Sequence, residues 1–263
     1  MGVGRVEIDS PAAGVQRIRI VHPDHRGALS HEVLGGLIRA LDQTPRDTRC
    51  LLLASCGEAF SAGYDIRALG EPIDVEAAAR TIAPDRVELF DALERQPLPV
   101  VAALNGPAFG GGLELALTCD LRIAARSATL GAPAGTLGLV YSPGGLERLA
   151  RELAPGVMAE LFLAGTTVSA ERAQALGVVC RVVADAELDR ESVALAGRVA
   201  ELAPQSARAH RAALRALRAA ATPMSDQARA ELYRARLAGL ASPDFAEGIA
   251  AFREHRPPRF SED

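Results

Sequence analysis

Twice in the first half of the chain a short, unbroken apolar run is followed at once by a glycine-bearing loop. Cys50–Ser55 (CLLLAS) leads into residues 57–65, and Val100–Leu104 (VVAAL) leads into residues 105–112. Runs this short, with no polar alternation, read as strands covered on both faces, which restricts the chain to a largely parallel sheet packed between other layers. The flanking patterns agree. Val15–Val21 (VQRIRIV) sets Ile18 and Ile20 against arginines, the alternation of a half-buried strand, and turns at Pro23-Asp24. After Ser30, a good N-cap residue, Val33, Leu34, Leu37 and Leu41 recur at helical spacing as far as the Pro45 region. A long helix is expected from about 75 to 93, ahead of Pro97 and Pro99. The segment GLELALTC behind Gly110, Gly111 and Gly112 reads as helical, and 121–124 as strand. Strand, loop and helix in this repeating order mean α/β with crossover connections.

Beyond Ser169 the pattern turns mostly helical: 170–176, a short strand at 178–183, then 188–202. Ala/Leu/Arg helices separated by Pro204, Pro223 and Pro243 complete the chain. The expected organisation is a core over residues 1–200 and a helical C-terminal region over 201–263. At 263 residues and 49% hydrophobic content, such a core can be buried without help.

All 29 basic residues are arginine, and lysine is absent. That excludes Schiff-base lysine chemistry, pyridoxal enzymes and the phosphate-binding loop that ends in Gly-Lys. The net charge of -4 gives no basic surplus for nucleic acid or a membrane surface. No apolar run approaches the ~20 residues of a membrane helix. Residues 1–10 lack the layout of a signal peptide, so a cytoplasmic location is expected. Cys50, Cys56, Cys119 and Cys180 are scattered and read as reduced core or pocket-wall thiols. His22, His25, His31, His210 and His255 never fall in a metal spacing and read as surface or cap residues, so no metal site is expected. Arginines on the late helices read as a solvated face. Neither a GxSxG elbow nor a GxGxxG loop occurs.

The two glycine loops, AFSAGYDI (59–66) and NGPAFGGGLEL (105–115), both follow buried strands, where open α/β sheets bind ligands. Glycine lets backbone approach a ligand and frees N–H groups from the ladder. The second loop also enters a helix, whose positive end favours an oxygen carrying negative charge. One amide from each loop could meet at a single oxygen and form an oxyanion hole. The competing reading of GGG alone is a turn or close-packing device. Glu114, between Leu113 and Leu115, is a carboxylate in an apolar run, costly unless paired or functional; the alternative is a partly exposed helix residue.

The segments AFSAGYDI and NGPAFGGGLELALTCD resemble the two hallmark segments of the crotonase superfamily, the enoyl-CoA hydratase/isomerase family. The resemblance extends through LRIAARSATLGAPAGTLGLVYSPGG, LAGTTVSAERAQALGVV and FAEGIAAFREHRPPRF, nearly the whole chain. It implies a ββα spiral core with a C-terminal helical region, trimers or dimers of trimers, and coenzyme A thioester substrates with no metal or redox cofactor. By motif position, the oxyanion-hole donors are the N–H groups of Tyr64 and Gly111, holding the thioester oxygen as an enolate forms. Ala62, Gly63, Asp65 and Ile66 would line the coenzyme A channel. Arg26, beside Ala28, and His255 in the arginine-rich tail are candidates for its phosphates.

Family hydratases use two glutamates around one water. Glu114 matches the first; the second place, twenty residues later, holds Ala134, flanked by Pro133 and Gly135. Alanine moves no proton, which argues against the two-carboxylate route. Tyr141, in GLVYSPGG, occupies the place of a tyrosine in methylmalonyl-CoA decarboxylases of the superfamily, which also lack the second glutamate. A phenol is a neutral donor at pH 7; the alternative is a pocket-wall aromatic. Tyr64 departs from the histidine of those decarboxylases, although a backbone donor survives any side-chain change. The expected function is decarboxylation of a small malonyl-type acyl-CoA with Glu114 and Tyr141 as catalytic residues. The alternatives are an enoyl-CoA hydratase or isomerase using Glu114 alone and a non-catalytic acyl-CoA-binding subunit.

Overall fold

The computed structural model describes residues 3–69, 74, 78, 88–221 and 224–260, without the side chains of residues 68 and 221. Its main sheet has six strands in the order β1-β2-β3-β4-β6-β9. They are β1 (Arg5–Ala12), β2 (Val15–Val21), β3 (Cys50–Ser55), β4 (Val100–Leu104), β6 (Leu121–Ala125) and β9 (Arg181–Val183). Every pair is parallel except β1 with β2. A smaller sheet joins β5 (Ala108–Phe109), β7 (Thr129–Gly131) and β8 (Thr167–Ser169). The helices are α1 (His31–Asp42), α2 (Glu88–Arg95), α3 (Gly111–Thr118), α4 (Pro143–Ala150), α5 (Pro155–Phe162), α6 (Ala170–Ala175), α7 (Leu188–Glu201), α8 (Pro204–Ala221), α9 (Asp226–Leu240) and α10 (Pro243–Arg253). The part of the expected helix at 75–87 lies outside the described residues, apart from position 78.

The unbroken apolar runs are explained by what covers them. Leu51, Leu53, Val100 and Ala102 face one cluster, with Leu37 of α1, Leu89 of α2 and Leu115 of α3. Cys50, Leu52, Val101 and Ala103 face a second cluster, which includes Leu188, Ala196 and Ala200 of α7. Each strand is therefore buried on both faces, as central parallel strands must be. Ser30 caps α1 by accepting from Val33 N–H. The last helix returns to the smaller half of the molecule, where Phe245 and Ile249 pack with Leu137 and Leu139.

Three expectations are corrected. Cys180 is exposed, because it precedes β9 at the sheet's outer edge. Cys50 and Cys119 are buried as expected, and burial pushes both thiols up to about 12. His22 is buried rather than superficial, with Nδ1 3.1 Å from Ala28 O and its ring stacked on His25. On the late helices Arg211 and Arg236 are buried too; Arg211 pairs with Asp120 at 2.7 Å and donates to Leu93 O at 3.0 Å.

Candidate active site

Three loops are stitched together at the ends of β2, β3 and β4. Phe60 N–H donates to Pro107 O (3.0 Å), Phe109 N–H to Ser61 O (2.9 Å), Leu29 N–H to Gly63 O (2.8 Å) and Ala62 N–H to Arg26 O (2.9 Å). Ser61 Oγ adds a bond to Gly27 O at 2.7 Å. Gly63 sits at φ +91°, where a side chain would be strained, and a Cβ there would stand 3.1 Å from Gly111 N. This bonding brings residue 63 against the start of α3. Among the described residues, neither Tyr64 N–H nor Gly111 N–H donates within the protein. The Gly111 amide lies in the first turn of α3, where backbone donors have no helical partner and the dipole is positive.

The loops wall a cavity of about 440 Å³. Tyr64, Gly111, Glu114 and Tyr141 line it together, although the sequence separates the first from the last by 77 positions. The residues expected to bind substrate line it as well: Arg26, Ala28, Ala62, Gly63, Asp65 and Ile66 on one side, and Pro133, Ala134 and His255 on the other. None of the four cysteines does.

Glu114 is buried in a helix whose eight residues are all buried. Its Oε1 accepts from Arg148 Nε at 2.7 Å, while Oε2 lies 3.3 Å from where a Cβ on Gly145 would stand. Burial raises the proton affinity of Glu114 above the usual carboxylate range, against the opposing pull of Arg148. Tyr141 packs edge-on to Phe162, with centroids 4.9 Å apart at 83°. Its hydroxyl is buried with no hydrogen-bond partner among the described residues, and a Cβ on Gly110 would stand 3.6 Å from it. Burial, then the neighbouring Glu114, drives this phenol's pKa far upward, so it stays a neutral donor. Tyr64 is raised for the same two reasons.

Arg148 resembles any other helix arginine in sequence and carries no signal of its place at the site. His25, expected at the surface, lines the cavity beside Asp65 (Nδ1 to Oδ2, 3.3 Å), and Phe252 lines it too. Among the described residues no cluster of His, Cys, Asp and Glu could hold a metal ion, and no helix is long and apolar enough to cross a membrane.

The chain is similar to known proteins along nearly its whole length. A probable enoyl-CoA hydratase of Bacillus subtilis is 35% identical over 244 residues, 91% of this chain and 93% of that one. The mouse mitochondrial enoyl-CoA hydratase domain-containing protein 2 is 34% identical over 261 residues, 96% of this chain and 86% of its own. A crystal structure of methylmalonyl-CoA decarboxylase complexed with 2S-carboxypropyl-CoA superposes with a TM-score of 0.88 at 27% identity, covering all of both chains. The family model described as enoyl-CoA hydratase/isomerase matches residues 10–263. With its crotonase fold, two bridged glycine loops and a buried glutamate at the head of α3, the chain belongs to the enoyl-CoA hydratase/isomerase family.

Proposed function

We propose that the protein decarboxylates a small malonyl-type acyl-CoA, holding the resulting enolate at the N–H groups of Tyr64 and Gly111. The observation that carries this reading is the pairing of Ala134 with Tyr141: the cavity has an alanine where a hydratase needs its second carboxylate, and a buried, unpartnered phenol close by. The bond from the α-carbon to the carboxylate breaks, and its electron pair moves into the enolate as carbon dioxide leaves. Negative charge accumulates on the thioester oxygen, where two fixed amides stabilise it. No base is needed to form the enolate. Tyr141, whose proton is firmly held, donates a hydrogen bond to the departing carboxylate rather than its proton. Glu114, with its raised affinity, returns a proton to the α-carbon and is recharged from water.

The names of the Bacillus subtilis and mouse relatives favour a second reading, an enoyl-CoA hydratase or isomerase working with Glu114 alone. Mass-spectrometric product detection with methylmalonyl-CoA, crotonyl-CoA and a 3-enoyl-CoA separates the two. The expected product is propionyl-CoA from the first. Hydration of crotonyl-CoA at a rate typical of the family, without loss of carbon dioxide, would overturn the proposal. Turnover of none of the three would favour an acyl-CoA-binding role.

We also propose a cytoplasmic homotrimer or dimer of trimers that uses no metal or redox cofactor, coenzyme A being part of the substrate. Leu202, Leu214 and Leu217 are exposed and available to such contacts.

A further inference from the structure

The Glu114–Arg148 pair stands in the wall between two cavities. Glu114 lines the 440 Å³ acyl-CoA cavity, and Arg148 does not. Arg148 instead lines a second cavity of about 270 Å³, with Glu94, Thr118, Arg151, Arg215 and Arg218. Its guanidinium lies 4.9 Å from the centroid of the Phe90 ring of α2, and its Nε reaches Oε1 of Glu114. Two contacts on different elements, one to a ring face and one to an oxygen, leave this arginine little freedom to turn.

We propose that Arg148 is the positioning residue of the active site: by holding Oε1 it fixes Oε2 as the one oxygen of Glu114 presented to the acyl group. A carboxylate with both oxygens free would rotate about its terminal torsion, which has broad, shallow wells. Gly145 makes room for the arrangement, since a Cβ there would crowd Oε2 at 3.3 Å and Tyr141 Cδ1 at 3.4 Å. The other charged and titratable groups facing Glu114 are Glu94 from α2, Arg236 from α9, and Tyr64 and Tyr141 from the loops. Of these, Glu94 opposes ionisation of Glu114 and Arg236 favours it, yet Arg148 is the cation bonded to the carboxylate. The proposal rests on the reading of Glu114 as the proton-transfer group, not on which acyl-CoA is consumed.

The second cavity supplies the test. Arg148→Ala would leave a void continuous with it, open to added guanidinium. The carboxyl of Glu114 is titrated by infrared difference spectroscopy against Glu114→Gln, which needs no turnover. In Arg148→Ala its midpoint should rise by roughly one pH unit or more, the usual effect of losing an adjacent arginine. Guanidinium should bring it back. On whichever acyl-CoA the native enzyme turns over, kcat should fall on the order of 100-fold with KM little changed, as expected when a reacting group is misplaced. The limb of the pH profile set by Glu114 should move to higher pH in step with the infrared midpoint. If Arg148→Ala does not fold, Arg148→Gln and Arg148→Lys carry the same measurements, with lysine expected to restore the midpoint better than the rate. An unchanged midpoint and profile in a folded variant would overturn the proposal, whatever became of the decarboxylation reading.

Discussion

Tyr64 lies with its ring against the backbone of Gly111: a Cβ on that glycine would meet Cε2 at 3.0 Å, Cδ2 at 3.2 Å and Cζ at 3.3 Å. Of the two residues proposed to share one oxyanion through their amides, one thus packs its ring beside the backbone of the other, which couples their positions. Gly111→Ala should displace the ring or the helix start and lower kcat toward the ~100-fold cost of losing one such donor. In the Tyr64→Ala background the same change should cost less, by about 1 kcal/mol of coupling. Strictly additive effects in this double-mutant cycle would show that the contact does not constrain the amides.

Among the described residues the buried hydroxyl of Tyr141 has no partner, an arrangement that costs stability. Tyr141→Phe should raise the free energy of unfolding, by up to about 1–3 kcal/mol in a denaturant titration, the penalty for an unmade hydrogen bond. Turnover should drop about 10- to 100-fold, the worth of a hydrogen bond to a charged group. A variant that is less stable and equally active would reduce Tyr141 to a wall aromatic.

Ala134 has ordinary right-handed helical dihedrals, φ -60° and ψ -42°, so a larger side chain meets no backbone strain there. Ala134→Glu would place a second carboxylate in the cavity that Glu114 lines. Crotonyl-CoA hydration should rise at least about 100-fold above the parent, the contribution of a positioned acid or base. Decarboxylation should fall, because the new carboxylate would repel the substrate's own. No gain in hydration would mean that more than one missing group separates this site from a hydratase.

Glu247 ties down the C-terminal tail, bonding the Arg256 guanidinium through both oxygens (2.5 and 2.9 Å) and accepting from Arg259 N–H at 2.6 Å. These bonds lower its pKa to about 2. The sign follows from the direction: a depressed carboxylate contributes its stabilisation above its ordinary value near 4.5 and loses it as the pH falls through about 2. Hydrogen exchange at the Arg259 amide should therefore speed up relative to its intrinsic rate between these limits. In Glu247→Gln it should be fast and independent of pH beyond the intrinsic trend. Protection retained at low pH would show that other contacts hold the tail beside His255.

What was legible in the sequence was local. The runs at 50–55 and 100–104 declared buried strands because burial on both faces leaves no polar alternation, and both strands occur within those limits. The edge strand β1 was barely legible: Val6 and Ile8 alternate with Glu7 and Asp9 for only four residues, the strand is mostly exposed, and its ladder with β2, the Arg17–Asp9 pair and the packing of Val6 beside α1 hold it extended. The short strands β5, β7 and β8 were missed for a similar reason, since two or three residues hold no periodicity.

The site divides in the same way. Glycine requirements are written into the backbone at one position, so the loops containing Gly63 and Gly111 could be read from their residues, whereas Ala134 drew notice only through the family resemblance, which implies a carboxylate at that place. Partnership is different, because it depends on which helix faces are pressed together. Nothing in the sequence distinguished Arg148 from the solvated arginines around it, or Arg236 from those of the exposed late helices. Only the packing of α4 against α3 brings a guanidinium 34 positions away onto Glu114, and only the tertiary fold makes one wall serve two cavities.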